Sequence, residues 1–227
     1  MKLYKYHAVN KDSLSALVRK KVWVPKPRTF NDPFDCAATV FQIDSASGHI
    51  LFKSGDSNAI ATLAAGIITG PTTKEQKEWL TRMGVYSLSA RNDSRLMWAH
   101  YADQFRGYCL EFAFDDSSFA DLVSVDYDPN NENPTIDGTE DPMSLIKGVA
   151  RQKAYDWKYE EEYRWVVQDG DRYYERPAPI TGVILGSRCK PEDKTTIKEL
   201  LGPEVHHRHV IMVPKSFNFT IEDDLCA

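Results

Sequence analysis

The residues best suited to chemistry lie in the run 159–167, which reads YEEEYRWVV. On a strand, side chains alternate between two faces, so Glu160, Glu162 and Arg164 share one face. The two carboxylates are then about 7 Å apart, at ~3.3 Å of rise per residue. Their repulsion raises one pKa, whereas Arg164 holds the other group ionised. Such a glutamate stabilises a developing cation or orients a hydroxyl, although a solvated, salt-bridged strand also accounts for the pattern.

A second set of polar residues lies in the loop 25–35, which reads PKPRTFNDPFD. Its three prolines make it rigid, and it presents Arg28, Asn31, Asp32 and Asp35 after a strand. Functional residues often occupy loops that a scaffold holds in position. Asn31 and Asp32 are also good turn formers before a proline, so a structural role remains open.

The run 93–105 predicts a helix. Trp98 and Tyr101 belong to a stripe at helical spacing, which is most simply a core stripe. Either ring could also stack against a ligand. His100 lies off the stripe and is a candidate base or ligand, or an ordinary hydrogen-bonded histidine.

The first strand, Lys2–His7, places Lys5 and His7 on one face. A cation and a histidine there could bind phosphate or ribose, and a polar strand edge explains them equally well. The three histidines near the C-terminus lack metal-ligand spacing and predict an exposed loop without a metal site: His206, His207 and His209.

The elements that must position these residues interleave irregularly, with hairpin-like strands late in the chain. This order predicts an α+β fold with a mixed, largely antiparallel sheet and flanking helices. The length of 227 residues favours a single domain over residues 1–227. An apolar patch at 60–68, within a Ser- and Gly-containing stretch, predicts a helical insertion at about 44–83.

Composition restricts the location and the partners. The formal charge of −5 gives no general reason to bind nucleic acid, so such a substrate requires a local basic patch. There is no CxxC pair among the four cysteines and no apolar run that could span a bilayer. We therefore expect a cytoplasmic protein without membrane association. Signatures for Rossmann, P-loop, GxSxG and kinase chemistry are absent from the sequence.

Several blocks together resemble a known bacterial family, domain-of-unknown-function family 2971. They read LYKYH, VWVPKPRTFNDPFD, GVYSLSA, LMWAHYADQFRGYCLEF, WKYEEEYR and ITGVILG, and their order covers nearly the whole chain. The blocks FNDPFD, MWAHYA and EEEYR are the most specific. The region around 44–80 matches none of these blocks.

The block order resembles ADP-ribosyltransferase-like domains, in which a late-strand glutamate assists cleavage of the nicotinamide–ribose bond of NAD. The resemblance implies Glu162 as the catalytic carboxylate and Glu160 as its E-x-E partner. The first-strand position falls on Lys5, with His7 two residues on. The second-strand hydroxyl position falls near Pro25, which has no hydroxyl.

The resemblance implies an NAD-consuming enzyme that modifies a nucleic acid or a protein, as a toxin or in phage defence. Its NAD-binding residues would be Lys5, His7, Arg28, Asn31, Trp98, His100, Tyr101 and Arg164, with Tyr101 or Thr29 supplying the missing hydroxyl.

Two other classes remain open. One is a metal-dependent hydrolase or nuclease with Asp32, Asp35, Glu160 and Glu162 as oxygen ligands. The other is a non-catalytic module that binds a nucleotide or a partner.

Overall fold

The computed structural model describes residues 1–36, 38–41, 61–63, 66–69, 73–120, 122–130, 135–137 and 141–224. The helices are α1 Lys11–Val18, α2 Lys74–Arg82, α3 Arg95–Tyr101, α4 Asp116–Ala120, α5 Pro142–Val149 and α6 Pro191–Leu201, with 3-10 helices at Pro27–Thr29 and Tyr155–Glu160. The strands are β1 Lys2–His7, β2 Lys21–Val24, β3 Ala38–Phe41, β4 Ala61–Leu63, β5 Gly66–Thr69, β6 Gly84–Ser89, β7 Tyr108–Ala113, β8 Leu122–Ser124, β9 Asp126–Asp128, β10 Thr135–Asp137, β11 Gln152–Ala154, β12 Glu162–Val167, β13 Arg172–Glu175, β14 Ile180–Leu185, β15 His206–Met212 and β16 Phe219–Asp223.

The main sheet has eight strands in the order β16-β15-β14-β7-β1-β6-β12-β8. Its pairs are antiparallel except β14 with β15. Two-stranded sheets pair β13 with β2 and β11 with β9. The predicted α+β class with a mixed, largely antiparallel sheet is therefore confirmed.

One face of the main sheet carries the larger apolar core. Tyr108, Leu110 and Phe112 alternate onto this face from β7, as their spacing predicts, and Leu17 of α1 and Ile197 of α6 pack over them. Helix α1 starts where the sequence predicts, because the Asn10 side chain accepts the backbone N–H of Ser13.

The opposite face is covered by α2, α3 and α5. Trp98 of α3 packs against Tyr4 and Tyr6 of β1, while Leu80 of α2 and Ile146 of α5 pack against β6, β8 and β12. Helix α3 is shorter than the predicted run 93–105, because Ser94 caps its start and it ends at Tyr101.

The main sheet is nearly divided between β1 and β6. Strand β1 pairs with β7 along its whole length, but it pairs with β6 only at Tyr4 and Ser89. Further along β6, the Val85 N–H donates to the Pro25 carbonyl, 3.0 Å away, at the end of β2. A cleft therefore opens between the two halves of the sheet.

The insertion differs from its prediction. Residues 61–63 and 66–69, within the predicted apolar helix, form strands β4 and β5 of a four-stranded sheet, ordered β10-β3-β5-β4. The apolar run was too short for its periodicity to separate helix from strand. The helix expected at 74–83 is present as α2, and the prediction for the rest of 44–72 lies outside the described residues.

Two other boundaries differ from the sequence prediction. The strand predicted from Tyr159 begins at Glu162, because Glu160 ends a 3-10 helix and Glu161 adopts a left-handed backbone with φ 43°. The three C-terminal histidines lie on β15 rather than in a loop, and His206 and His209 face Asp223 and Asp224. Among the described helices, none has the length and apolar character to cross a bilayer.

Candidate functional site

Two cavities meet at the cleft in the main sheet, and both have Lys5 and Pro25 in their walls. We call the first, of about 310 Å³, the carboxylate cavity, since Glu160 and Glu162 line it. We call the second, of about 430 Å³, the aromatic cavity. Its aromatic walls are Trp23, Tyr86, Tyr108 and Tyr173.

A buried ion cluster forms the floor of the carboxylate cavity. The Lys153 Nζ lies 2.6 Å from Glu160 Oε2, 3.1 Å from Glu162 Oε2 and 3.2 Å from Asp35 Oδ2. The Arg164 guanidinium binds Glu162 Oε1 at 2.8 Å and Asp35 Oδ1 at 2.7 Å. All five side chains are at most 5% exposed, so these interactions are sheltered from solvent screening.

Most of the hydrogen-bond acceptor positions of the Glu162 carboxylate are occupied by protein groups. Both of its oxygens accept from Arg164, and Oε2 also accepts from Lys153. Burial by itself would raise the pKa of Glu162, but Arg164 and Lys153 outweigh it and hold the pKa well below its usual range. This carboxylate is therefore a fixed anion that holds the cluster together.

Glu160 is the less satisfied of the two carboxylates. Its Oε1 accepts from the Tyr101 hydroxyl at 2.6 Å and its Oε2 from Lys153 at 2.6 Å. Burial raises the pKa of Glu160 despite the opposing Lys153. With lone pairs to spare and a raised pKa, Glu160 is the carboxylate suited to exchange a proton or to accept from a ligand hydroxyl.

The ion cluster by itself carries an excess of negative charge. Its three carboxylates face two cations, and Lys5, in the wall of the same cavity, lies outside these ion pairs as a separate cation. Hydroxyl groups surround the cluster, since Ser87 and Ser89 of β6 and Thr29 and Tyr101 also line the cavity. The arrangement can therefore hold a polyhydroxy ligand on which positive charge develops.

Lys5 lies at the junction of the two cavities. Glu162 pairs with Ser89, and Ser89 pairs with Tyr4, so alternation puts the Lys5 side chain on the sheet face opposite Glu162. Its Nζ lies 4.7 Å from the centre of the Tyr86 ring. Lys5 and the two glutamates nevertheless line one cavity, because the open cleft brings Lys5 to it, whereas His7 lines only the aromatic cavity.

Desolvation lowers the pKa of Lys5 to about 8, although Glu162 and Glu160 oppose the change. Between about pH 8 and 10.5 the unfolded chain binds a proton that the folded chain has lost, so the free energy of unfolding should rise with pH. From pH 8 to pH 10.5, the free energy of unfolding of the wild type should rise by up to about 3 kcal/mol more than that of the Lys5→Met variant. Urea unfolding at pH 8 and pH 10.5 measures it, and parallel curves for the two proteins would contradict the assignment.

The aromatic cavity holds the other first-strand residue, His7. Its ring stacks on Tyr108, 5.2 Å away and inclined by 27°. Burial lowers the pKa of His7 to about 3, and Lys5 adds to the effect, so the imidazole is neutral near pH 7. His7 therefore adds a neutral ring to this cavity and lies apart from the carboxylates.

Two residues predicted to bind a cofactor are enclosed by protein. Arg164 is fully buried, and its five N–H groups are used by Glu162, Asp35, Cys36 and the Ala150 carbonyl. Trp98 is also fully buried, with its Nε1 donating to a backbone carbonyl. Neither side chain lines either cavity in this structure, and their contact with NAD stays a prediction.

The other predicted binding residues are dispersed. Asn31 lines the carboxylate cavity and lies 3.4 Å from the Tyr101 hydroxyl. Arg28 pairs with Asp171 at 2.5 Å, and His100 packs near the ring of Trp157, outside both cavities.

The four oxygen ligands expected for a metal do not assemble around an empty position. Asp32 accepts from Trp157 at 2.7 Å, while the other three carboxylates converge on Lys153. The ammonium group occupies the place where a cation would bind. Within the described ranges, no group of His, Cys, Asp and Glu side chains has a metal-ligand arrangement.

Sequence reasoning missed Lys153 and the β6 hydroxyls. Lys153 lies on the short strand β11, beyond the end of α5 at Val149. No local pattern marks it, because its partners are as distant as Asp35. The alternation of Ser87 and Ser89 in GVYSLSA would have indicated a shared polar face.

Residues 97–165 match the model of a family described as Protein of unknown function (DUF2971). The match supports the domain-of-unknown-function family and includes Tyr101, Lys153, Glu160, Glu162 and Arg164. No curated protein matches the chain. No solved structure matches it either, so the resemblance to ADP-ribosyltransferase-like architecture has no support from that comparison.

Proposed function

We propose that this protein is an NAD-consuming, ADP-ribosyltransferase-like enzyme that transfers ADP-ribose to an acceptor. The observation that carries the proposal is the carboxylate cavity, where a cluster with one excess negative charge faces a hydroxyl-lined space beside Lys5. Cleavage of NAD generates an oxocarbenium-like ribosyl cation, and fixed negative charge stabilises such a transition state.

In the proposed reaction, the bond between ribose C1′ and the nicotinamide nitrogen breaks, and its electron pair leaves with nicotinamide. A nucleophile of the acceptor then forms the new bond to C1′, and its proton passes to Glu160. The raised pKa and spare lone pairs of Glu160 support this role. Glu162 acts as a positioning residue, because it fixes Lys153, which in turn holds Glu160.

The aromatic cavity adds a second support for a ligand with phosphates. Lys5 forms no ion pair with any described residue, and the Nε of Arg176, buried in the same cavity wall, lacks a hydrogen-bond partner there. Burying unpaired cations is costly, so an anionic group that pairs with them gains affinity. A pyrophosphate at the junction would meet Lys5.

The direct test incubates the purified protein with NAD and cell extract, and follows free nicotinamide and modified macromolecules by mass spectrometry. We expect nicotinamide to be released at a rate that a metal chelator leaves unchanged. Release that a chelator abolishes would favour a metal-dependent enzyme. An absence of release, with and without extract, would contradict the proposal.

A non-catalytic nucleotide-binding module is the second candidate. The specific observation in its favour is the saturation of Glu162, whose oxygens are committed to Arg164 and Lys153. Calorimetric titration with NAD discriminates the two, since the module binds NAD without releasing nicotinamide.

A further inference from the structure

The mouth of the aromatic cavity is formed by the ribbon of β2 and β13. Because Val22 and Val24 of β2 point into the core, alternation directs Lys21 and Trp23 outwards. On β13, Tyr173 lies opposite Trp23 and points the same way. We call Trp23, Tyr173 and the exposed basic residues Arg19 and Lys20 beside them in the chain the ribbon surface.

The ribbon surface exposes aromatic rings. Trp23 is 42% exposed, and its ring meets Tyr173 edge to face at 5.0 Å. Both residues also line the aromatic cavity, so the exposed rings continue into an enclosed aromatic space. Planar groups can therefore stack at the mouth or enter the cavity.

The ribbon surface is also basic, in a chain whose formal charge is −5. Arg19 and Lys20 form no ion pair with any residue that the structure describes, and the Arg19 guanidinium lies 4.9 Å from the Tyr173 ring centre. Of the nearby carboxylates, Glu175 is paired with Lys21 at 2.8 Å, and Asp12 lines the aromatic cavity. Unpaired cations interleaved with exposed rings fit a ligand that alternates phosphates and planar bases.

We propose that the ribbon surface binds single-stranded nucleic acid. One base stacks on the exposed Trp23 ring at the cavity mouth, and neighbouring phosphates pair with Arg19 and Lys20. A duplex does not fit, because its bases are stacked on one another and unavailable to the rings.

Binding of the nucleic-acid strand to the ribbon surface is independent of the proposed function. A role of that strand as the ADP-ribose acceptor rests on the proposed function. The aromatic cavity meets the carboxylate cavity at Lys5, so a base that enters it approaches the ribose site. We therefore infer that the nucleophile is a base of the bound strand.

The test measures fluorescence anisotropy of labelled 12-nucleotide oligothymidylate and oligouridylate without NAD. Trp23→Ala should weaken binding about tenfold or more, because one base loses its stacking partner. Arg19→Gln should weaken it several-fold and reduce the salt dependence by about 0.7 in log–log slope, as expected for one lost phosphate contact. The controls are Phe217→Ala, an 88% exposed ring elsewhere, and Arg106→Gln, an exposed paired arginine.

Circular dichroism checks that each variant is folded. If Trp23→Ala does not fold, the Arg19→Gln variant still tests the proposal. Equal binding of a duplex, or displacement of the strand by equimolar AMP, would overturn the proposal. Equal binding of both oligonucleotides indicates recognition of shared features, and a preference identifies DNA or RNA as the ligand.

The two proposals fail separately. If the protein binds the strand but does not cleave NAD, the nucleic-acid proposal holds and the proposed enzymatic function fails. If it releases nicotinamide but binds neither oligonucleotide, the proposed function holds and the nucleic-acid proposal fails.

Discussion

Replacing Arg164 by methionine should lower the free energy of unfolding by about 3–5 kcal/mol, the range for removing one partner of a buried ion pair. The guanidinium is fully buried, and its removal leaves Asp35 and Glu162 with Lys153 as their remaining cation. Two adjacent buried carboxylates would then repel each other. Urea unfolding at pH 7 measures the change.

The matched control is Arg82→Met, which removes an exposed arginine paired with Asp169. Solvent screens that pair, so its loss should leave the unfolding midpoint nearly unchanged. The prediction is contradicted if Arg164→Met and Arg82→Met unfold at the same urea concentration. In that case the ion cluster would contribute little to the fold.

Replacing Glu160 by glutamine should lower the rate of nicotinamide release about a hundredfold, since removal of one preorganised charge-stabilising group costs ~3 kcal/mol. The change keeps the shape of the side chain and removes its charge and its basicity. Rates are measured at saturating NAD, so the loss should appear in kcat.

Glu161→Gln is the matched control for this experiment. Glu161 is the next residue along, is 52% exposed and faces Arg91, away from the cavity. The Glu161→Gln variant should release nicotinamide at the wild-type rate. A Glu160→Gln variant that is as active as Glu161→Gln would remove Glu160 from the reaction.

Glu162→Gln separates a positioning role from a catalytic one. Activity should fall nearly to zero, but the free energy of unfolding should fall as well, because Arg164 and Lys153 lose a shared partner. Glu160→Gln should lose activity with a smaller change in stability. Both variants therefore lose activity, and the larger loss of stability distinguishes Glu162→Gln from Glu160→Gln.

Local patterns predicted most of the sheet. The first strand has the predicted bounds, Lys2–His7. Helix ends are marked by residues with a local effect, such as Asn10 at the cap of α1 and Pro191 at the start of α6. Short strands of the insertion lack such marks, so they were predicted as helix.

The candidate site was predictable only in part, because its geometry depends on pairing between distant strands. The acidic run indicated that Glu160 and Glu162 act together, and both do line one cavity. The left-handed Glu161, which turns Glu160 into the cluster from outside the strand, has no signal in three consecutive glutamates. Likewise, no single strand shows that Lys5 and Glu162 lie on opposite sheet faces, since this follows from the registers with Ser89.

The single residue pair between β1 and β6 has a mechanical consequence. Elsewhere in the main sheet, neighbouring strands are joined by a ladder of main-chain hydrogen bonds, and separating them would break every rung. At Tyr4 and Ser89 the ladder is reduced to one step, so side-chain packing sets the separation of the two halves. Parting the two halves here would break one rung, together with the apolar packing that joins Leu3 of β1 to Tyr86 and Leu88 of β6 in one core.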